Sequence, residues 1–128
     1  MYRRKIDSFL LEWKNNPTHK PLVIKGCRQC GKTSSVVAFA RKHYKHVIYI
    51  DFHEQEHLCS LFDGSLSVDY LIMAISASVP NAQFVPKKTC LILDEIQNCP
   101  RARSSLKFFM QDGRYDVICT GSLLGVSG

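Results

Sequence analysis

The sequence predicts an α/β domain in which a parallel sheet of about four strands is covered by helices on both faces. Short apolar runs of strand length alternate along the chain with longer segments of helical apolar spacing. The strand-like runs lack the in–out alternation of a half-solvated sheet, which implies burial on both sides. At 128 residues the chain has room for one domain of ordinary size and no second.

The elements follow in order. Ile6, Phe9, Leu10 and Trp13 recur at i, i+3, i+4 and i+7, one apolar helical face over about residues 3–15, and Asn15-Asn16-Pro17 stops it. Residues 21–25 form a short apolar run into Gly26 that suits a buried strand. Thr33 to Tyr44 has helical length, with Val36, Val37, Phe39 and Ala40 apolar. Val47 to Ile50 is a second strand, followed by a polar stretch through Gly64. Val68 to Val79 is a helix that buries Leu71, Ile72 and Ile75 and stops before Pro80. Thr89 to Leu93 is a third strand, ending in Asp94-Glu95. Arg101 to Met110 is a further helix closed by Asp112-Gly113, and Tyr115 to Cys119 is a fourth strand ending in Thr120-Gly121-Ser122. No internal repeat or low-complexity segment interrupts this pattern.

The composition, 45% hydrophobic and 22% charged, excludes a largely disordered chain. The longest apolar runs, such as Val36 to Ala40, are far short of the roughly 20 residues that span a bilayer. The basic start Met1 to Lys5 leads into no apolar leader segment, so a cytoplasmic protein without a membrane partner is expected. Residues 1–46 hold eleven Lys or Arg against Asp7 and Glu12, whereas 47–99 hold Lys87 and Lys88 against seven acids. A basic first third attracts the phosphates of a nucleotide or of a nucleic acid, unless it is simply a solvated helix face. The six cysteines do not read as a disulfide framework, because a cytosolic chain keeps its thiols reduced. Cys59, Cys90 and Cys119 lie in or near apolar runs and read as buried small hydrophobes.

Gly26, Cys27, Arg28, Gln29, Cys30, Gly31, Lys32 and Thr33 fit G-x-x-x-x-G-K-[ST] at every fixed position, between a strand and a helix. Glycines let the backbone curl so that its N–H groups face a phosphate, and the helix N-terminus adds partial positive charge. Lys32 would reach the β- and γ-phosphates, and Thr33 would offer its hydroxyl to Mg²⁺. Cys27 and Cys30 occupy variable positions of this motif, which weakens a metal or redox reading of their C-x-x-C. A phosphate loop also requires a carboxylate at another strand end. Asp94 supplies it as the expected Mg²⁺ residue, and Glu95 would orient and deprotonate an attacking water. Thr120 and Ser122, at the fourth strand end, are candidates to hydrogen-bond the γ-phosphate or that water. No Asn-Lys pair exists, which removes the guanine signature of GTPases.

His53-Glu-Gln-Glu-His57 matches H-E-x-x-H, a zinc-protease pattern. That chemistry needs both histidines on one helical face and a third ligand. Here the motif follows a strand directly and lies in a strongly polar segment, so a solvated loop or short helix is expected.

With residues 26–33, Leu93 to Gln97, Leu106-Lys107 and Thr120 to Gly125 in view, the chain resembles the N-terminal portion of prokaryotic AAA-type ATPases that carry a C-terminal domain of unknown function. The resemblance implies a P-loop nucleoside-triphosphatase fold of the RecA/AAA kind, ATP and Mg²⁺ as cofactors, and hydrolysis in the complete protein. It also implies a fifth strand beside the first, then a lid and a further domain. Residues 1–128 are therefore expected to be a partial core whose first strand is an unpaired edge inviting self-association. Arginine finger and second sensor normally lie beyond such a core or on a neighbouring subunit, and nothing in the sequence places Arg101, Arg103 or Arg114 at a γ-phosphate. Such a fragment should bind ATP better than it hydrolyses it. The competing readings are a nucleotide-binding module without catalysis, a nucleic-acid binder using the basic first third, and phosphoryl transfer to a small molecule.

Overall fold

The computed structural model of the chain describes residues 2–26 and 32–122. Helix α1 spans Tyr2–Asn15, strand β1 Leu22–Gly26, α2 Lys32–His43 and β2 His46–Asp51. A 3₁₀ helix, Glu56–Phe62, leads to α3 at Val68–Ser78 and β3 at Thr89–Asp94. A single 3₁₀ turn, Ile96–Asn98, precedes α4 at Pro100–Asp112, and β4 runs Asp116–Ser122. Every predicted helix and strand is present, with ends shifted by a residue or so in most cases and by up to three at the end of β4.

The four strands form one parallel sheet in the order β1-β4-β3-β2. Alternation along each strand divides the core into two layers. Cys90, Ile92 and Ile118 face α1 and α2, where Ile6, Leu10, Val36, Phe39 and Ala40 close over them. Leu91, Leu93, Val117 and Cys119 face the other way, against Phe52 just after β2 and against Phe62, Leu71, Ile75, Leu106 and Phe109 of the 3₁₀ helix, α3 and α4. All six residues of β3 are buried, which is why its sequence shows no polar alternation.

Local chemistry sets the ends. The Ser67 side chain accepts the Tyr70 N–H at 3.2 Å and caps α3. Pro100 opens α4, and Gly113 at φ 74° closes it with its N–H on Phe109 O, a left-handed cap that glycine adopts without steric cost. Phe9 departs from expectation: it is 51% exposed, whereas Ile6 and Leu10 are buried. Three residues advance a helix by about 300°, so Phe9 falls on the rim of the face that Ile6 and Leu10 define.

The cysteine reading needs a correction. Cys59 is not an isolated buried thiol but is disulfide-bonded to Cys99, with Cα atoms 5.6 Å apart across 40 positions. The bridge fastens the 3₁₀ helix 56–62 to the residue preceding α4, two segments that only the packing of both on one sheet face brings together. Cys90 and Cys119 are buried and free, as read. Burial pushes the Cys119 thiol up to about 12 and Cys90 well above its ordinary range.

Candidate functional site

Parallel pairing brings the carboxyl ends of all four strands to one edge of the sheet, the edge where open α/β sheets hold their ligands. Register decides the neighbours there: Gly26 lies beside Ser122, Leu93 beside Cys119, and Asp51 beside Asp94. The end of β1, the start of α2, the acidic end of β3 and the Thr120–Ser122 end of β4 therefore share one edge. Of the expected phosphate-loop residues, Cys27, Arg28, Gln29, Cys30 and Gly31 lie outside the described residues. Gly26, Lys32 and Ser122 are described in backbone only, as the last residue of β1, the first of α2 and the last of β4.

Asp94 is the centre of the described part. It follows Ile92 by two, so its side chain is directed to the α2 side of the sheet. Thr33 donates its hydroxyl to Asp94 Oδ1 at 3.2 Å, and the buried Thr120 hydroxyl donates to the same oxygen. Tyr49 donates its phenol to Oδ2 at 2.6 Å. The carboxylate itself is 6% exposed. Among the described residues no basic side chain forms an ion pair with it. Burial, then the hydrogen bond to Asp94 and the nearby Asp51 and Glu95 charges, push the Tyr49 phenol well above its ordinary value.

Glu95 turns the chain out of β3. Its backbone is left-handed, φ 57° and ψ 52°, and its C=O accepts the Asn98 N–H at 3.0 Å to close the 3₁₀ turn. The side chain is buried and accepts a hydrogen bond from Gln97 Nε2 at 2.6 Å. A left-handed glutamate is uncommon and costs about 1–3 kcal/mol, a strain found disproportionately at functional sites.

Two participants escaped the sequence reading. Tyr49 is the one aromatic residue of its strand and shares a face with Asp94 only because β2 pairs with β3 in register. Gln97 is a polar residue two places after Glu95, but its folding back onto that carboxylate depends on the turn. The arginines are engaged elsewhere. Arg101 donates to Phe62 O and Gly64 O at 3.0 and 2.8 Å, Arg114 is held by Asp112 and Asp69, and Arg103 is exposed on α4. His53 lies in a turn ahead of the 3₁₀ helix that holds His57, so the pair does not share a helical face. Among the described residues no group of three or more His, Cys, Asp or Glu could hold a metal ion.

A family model described as an AAA domain matches residues 18–127. The chain belongs to the AAA domain family. The match covers every described element except α1, and membership suggests nucleotide binding. A comparison with curated proteins gives no match. Among the described residues of this AAA domain, no helix is long and apolar enough to cross a membrane.

Proposed function

We propose that this AAA domain binds Mg-ATP at the carboxyl edge of its sheet and hydrolyses it. The observation that carries the reading is Asp94, a buried carboxylate on which the hydroxyls of Thr33 at the start of α2, Tyr49 on β2 and Thr120 on β4 converge. A buried carboxylate already oriented by hydroxyl donors is a hard oxygen ligand that a bound cation would engage. Thr33 and Asp94 offer the hard oxygen donors that Mg²⁺ takes, so the residues fit the ion. Thr33 and Asp94 would hold the ion, which when bound would neutralise charge that builds on the phosphates. In this reading the N–H groups of residues 26–33 cradle the phosphates, and Lys32 pairs with the β- and γ-phosphates. Glu95 takes a proton from the water whose oxygen attacks the γ-phosphorus, with ADP leaving, while Thr120 and Ser122 line the strand end beside that water. Residues 1–128 then act as the ATPase core of the longer prokaryotic chains with a C-terminal domain that the sequence resembles, and the core alone binds ATP better than it turns it over. The free edge of β1, paired only with β4 among the described strands, supports self-association as part of that reading.

The test is calorimetric titration of Mg-ATP into the folded chain, its Lys32→Ala variant and its Glu95→Gln variant. Loss of one charge-assisted contact, about 1.5–3 kcal/mol, weakens Lys32→Ala binding by roughly 10- to 150-fold. Glu95→Gln keeps binding and loses turnover by about 10²–10⁴-fold. A folded wild type that binds no Mg-ATP overturns the reading.

A further inference from the structure

The turn after Glu95 carries a side chain that neither the phosphate loop nor the acidic strand end accounts for. Gln97 sits in the 3₁₀ turn Ile96–Asn98, and its amide folds back so that Nε2 donates to Glu95 Oε1 at 2.6 Å. The other end of that amide is buried and finds no hydrogen-bond partner, the one such side-chain atom among the described residues. Gln97 Oε1 lies over β4 at Gly121, so near that a Cβ there would come within 3.0 Å of it, with the Ile96 side chain alongside. A buried acceptor without a donor is disfavoured, and its occurrence in a folded protein asks for a cause. The cause here is geometric. The amide is planar, so fixing Nε2 on Glu95 directs Oε1 toward β4, and only the missing side chain of Gly121 leaves room for it. Together with the left-handed backbone of Glu95, two locally unfavourable features converge on holding one carboxylate in place.

We infer that Gln97 is a positioning residue for Glu95. Its amide spans from the Glu95 carboxylate to the end of β4, and thereby presents the general base in a single orientation between the strand ends that carry Asp94 and Thr120. This rests on the hydrolytic reading of Glu95 above. Gly121 is the other half of the device, since its lack of a side chain admits the amide.

The experiment measures steady-state Mg-ATP hydrolysis, calorimetric Mg-ATP binding and thermal melting for the wild type, Glu95→Gln, Gln97→Met, Gln97→Glu and Gly121→Ala. Gln97→Met keeps the length of the side chain and removes the donor. Its kcat falls by about 10- to 100-fold, the usual consequence of a misplaced catalytic group, while KM and Kd stay within about twofold. Its Tm stays close to that of the wild type, because the lost bond to Glu95 and the lost unpartnered oxygen oppose one another. Gln97→Glu keeps the shape but sets a second carboxylate against Glu95 and loses at least as much. Gly121→Ala reaches the same amide from β4 and reproduces the loss in kcat with Gln97 intact, so the test survives if one variant does not fold. Wild-type kcat in Gln97→Met beside an inactive Glu95→Gln overturns the positioning role and leaves the hydrolytic reading standing. Equal turnover in wild type and Glu95→Gln overturns both.

Discussion

Two aspartates on neighbouring strands, Asp94 at the end of β3 and Asp116 at the start of β4, each accept a tyrosine phenol, yet they serve opposite ends of the sheet. Asp116 accepts from Tyr44 and, at 2.6 Å, from the His19 ring, whose other nitrogen meets Asn16 O at 2.7 Å. Trp13 packs edge-on against that ring at 4.8 Å and donates its indole N–H to Lys20 O. The Asp116 end thus ties the α1–β1 connection to the base of β4, around a carboxylate that faces a ring able to carry positive charge. Asp94 is held by hydroxyls alone among the described contacts, and it is the more deeply buried of the two. The difference teaches how two carboxylates on one sheet divide the work: Asp116 joins segments distant in sequence at the base of the sheet, and Asp94 is oriented by hydroxyl donors at the carboxyl edge.

The largest expected effect separates the two ends by covalent chemistry. The Cys59–Cys99 disulfide closes a loop of about 40 residues immediately after the Glu95–Asn98 turn, and Cys59 and Cys99 form no such tie at the Asp116 end. A loop of that length corresponds to about 4 kcal/mol of stabilisation by the chain-entropy model. Urea unfolding with and without a thiol reductant should show a loss of that order. Identical midpoints would mean that the bridge is not formed in solution.

The aspartates themselves come next. Asp94→Asn should weaken Mg²⁺-dependent ATP binding by roughly 10- to 150-fold, with a smaller effect on unfolding stability because the three hydroxyls around it can donate or accept. Asp116→Asn should do the reverse, costing about 1.5–3 kcal/mol of stability and leaving the affinity alone. If both variants behave alike, the distinction drawn between the two carboxylates fails.

The tyrosines sharpen it further. Tyr44→Phe removes a buried donor to Asp116 and should cost about 1 kcal/mol, and Tyr49→Phe less, since Tyr49 is 36% exposed. Both phenols are raised, by burial first and then by the bond to an aspartate. A group whose folded value exceeds its unfolded one stabilises the fold below the unfolded value, about 10 for tyrosine, and loses that contribution as pH rises through the folded value. Absorbance titration should therefore show Tyr44 and Tyr49 still unionised above the ordinary tyrosine value of about 10, until the chain unfolds.

The smallest effect lies outside both ends. The Arg114 guanidinium bonds the Asp112 carboxyl and holds it below the usual carboxylate value. Here the sign is opposite: the contribution is present above pH about 4 and fades as pH falls through the depressed value. Arg114→Ala should flatten that part of an acid unfolding curve and change little at pH 7.

Much of this is legible in the sequence. The strand–helix alternation yielded all eight main elements, because apolar spacing directly reports which faces must leave water. The loop 26–33 and Asp94-Glu95 were legible for a related reason: they are contiguous, and their chemistry is written in residue type. The reading failed where contact depends on distant segments. Helical spacing alone places Phe9 on the buried face, an apolar neighbourhood alone makes Cys59 a buried thiol, and no local signal marks Tyr49 or Gln97 for the site.

The sequence by itself determined the class of fold, the order of its elements and the residue types at the candidate site, since local periodicity and short motifs are properties of the chain's own geometry. Only the tertiary structure decided that β4 lies between β1 and β3, that Tyr49 and Thr120 converge on Asp94, and that Cys59 meets Cys99. Those pairings join residues 26 to 45 positions apart, or more, and strand order is chosen by how the helices cover the two sheet faces together, a collective packing that no local window of sequence contains.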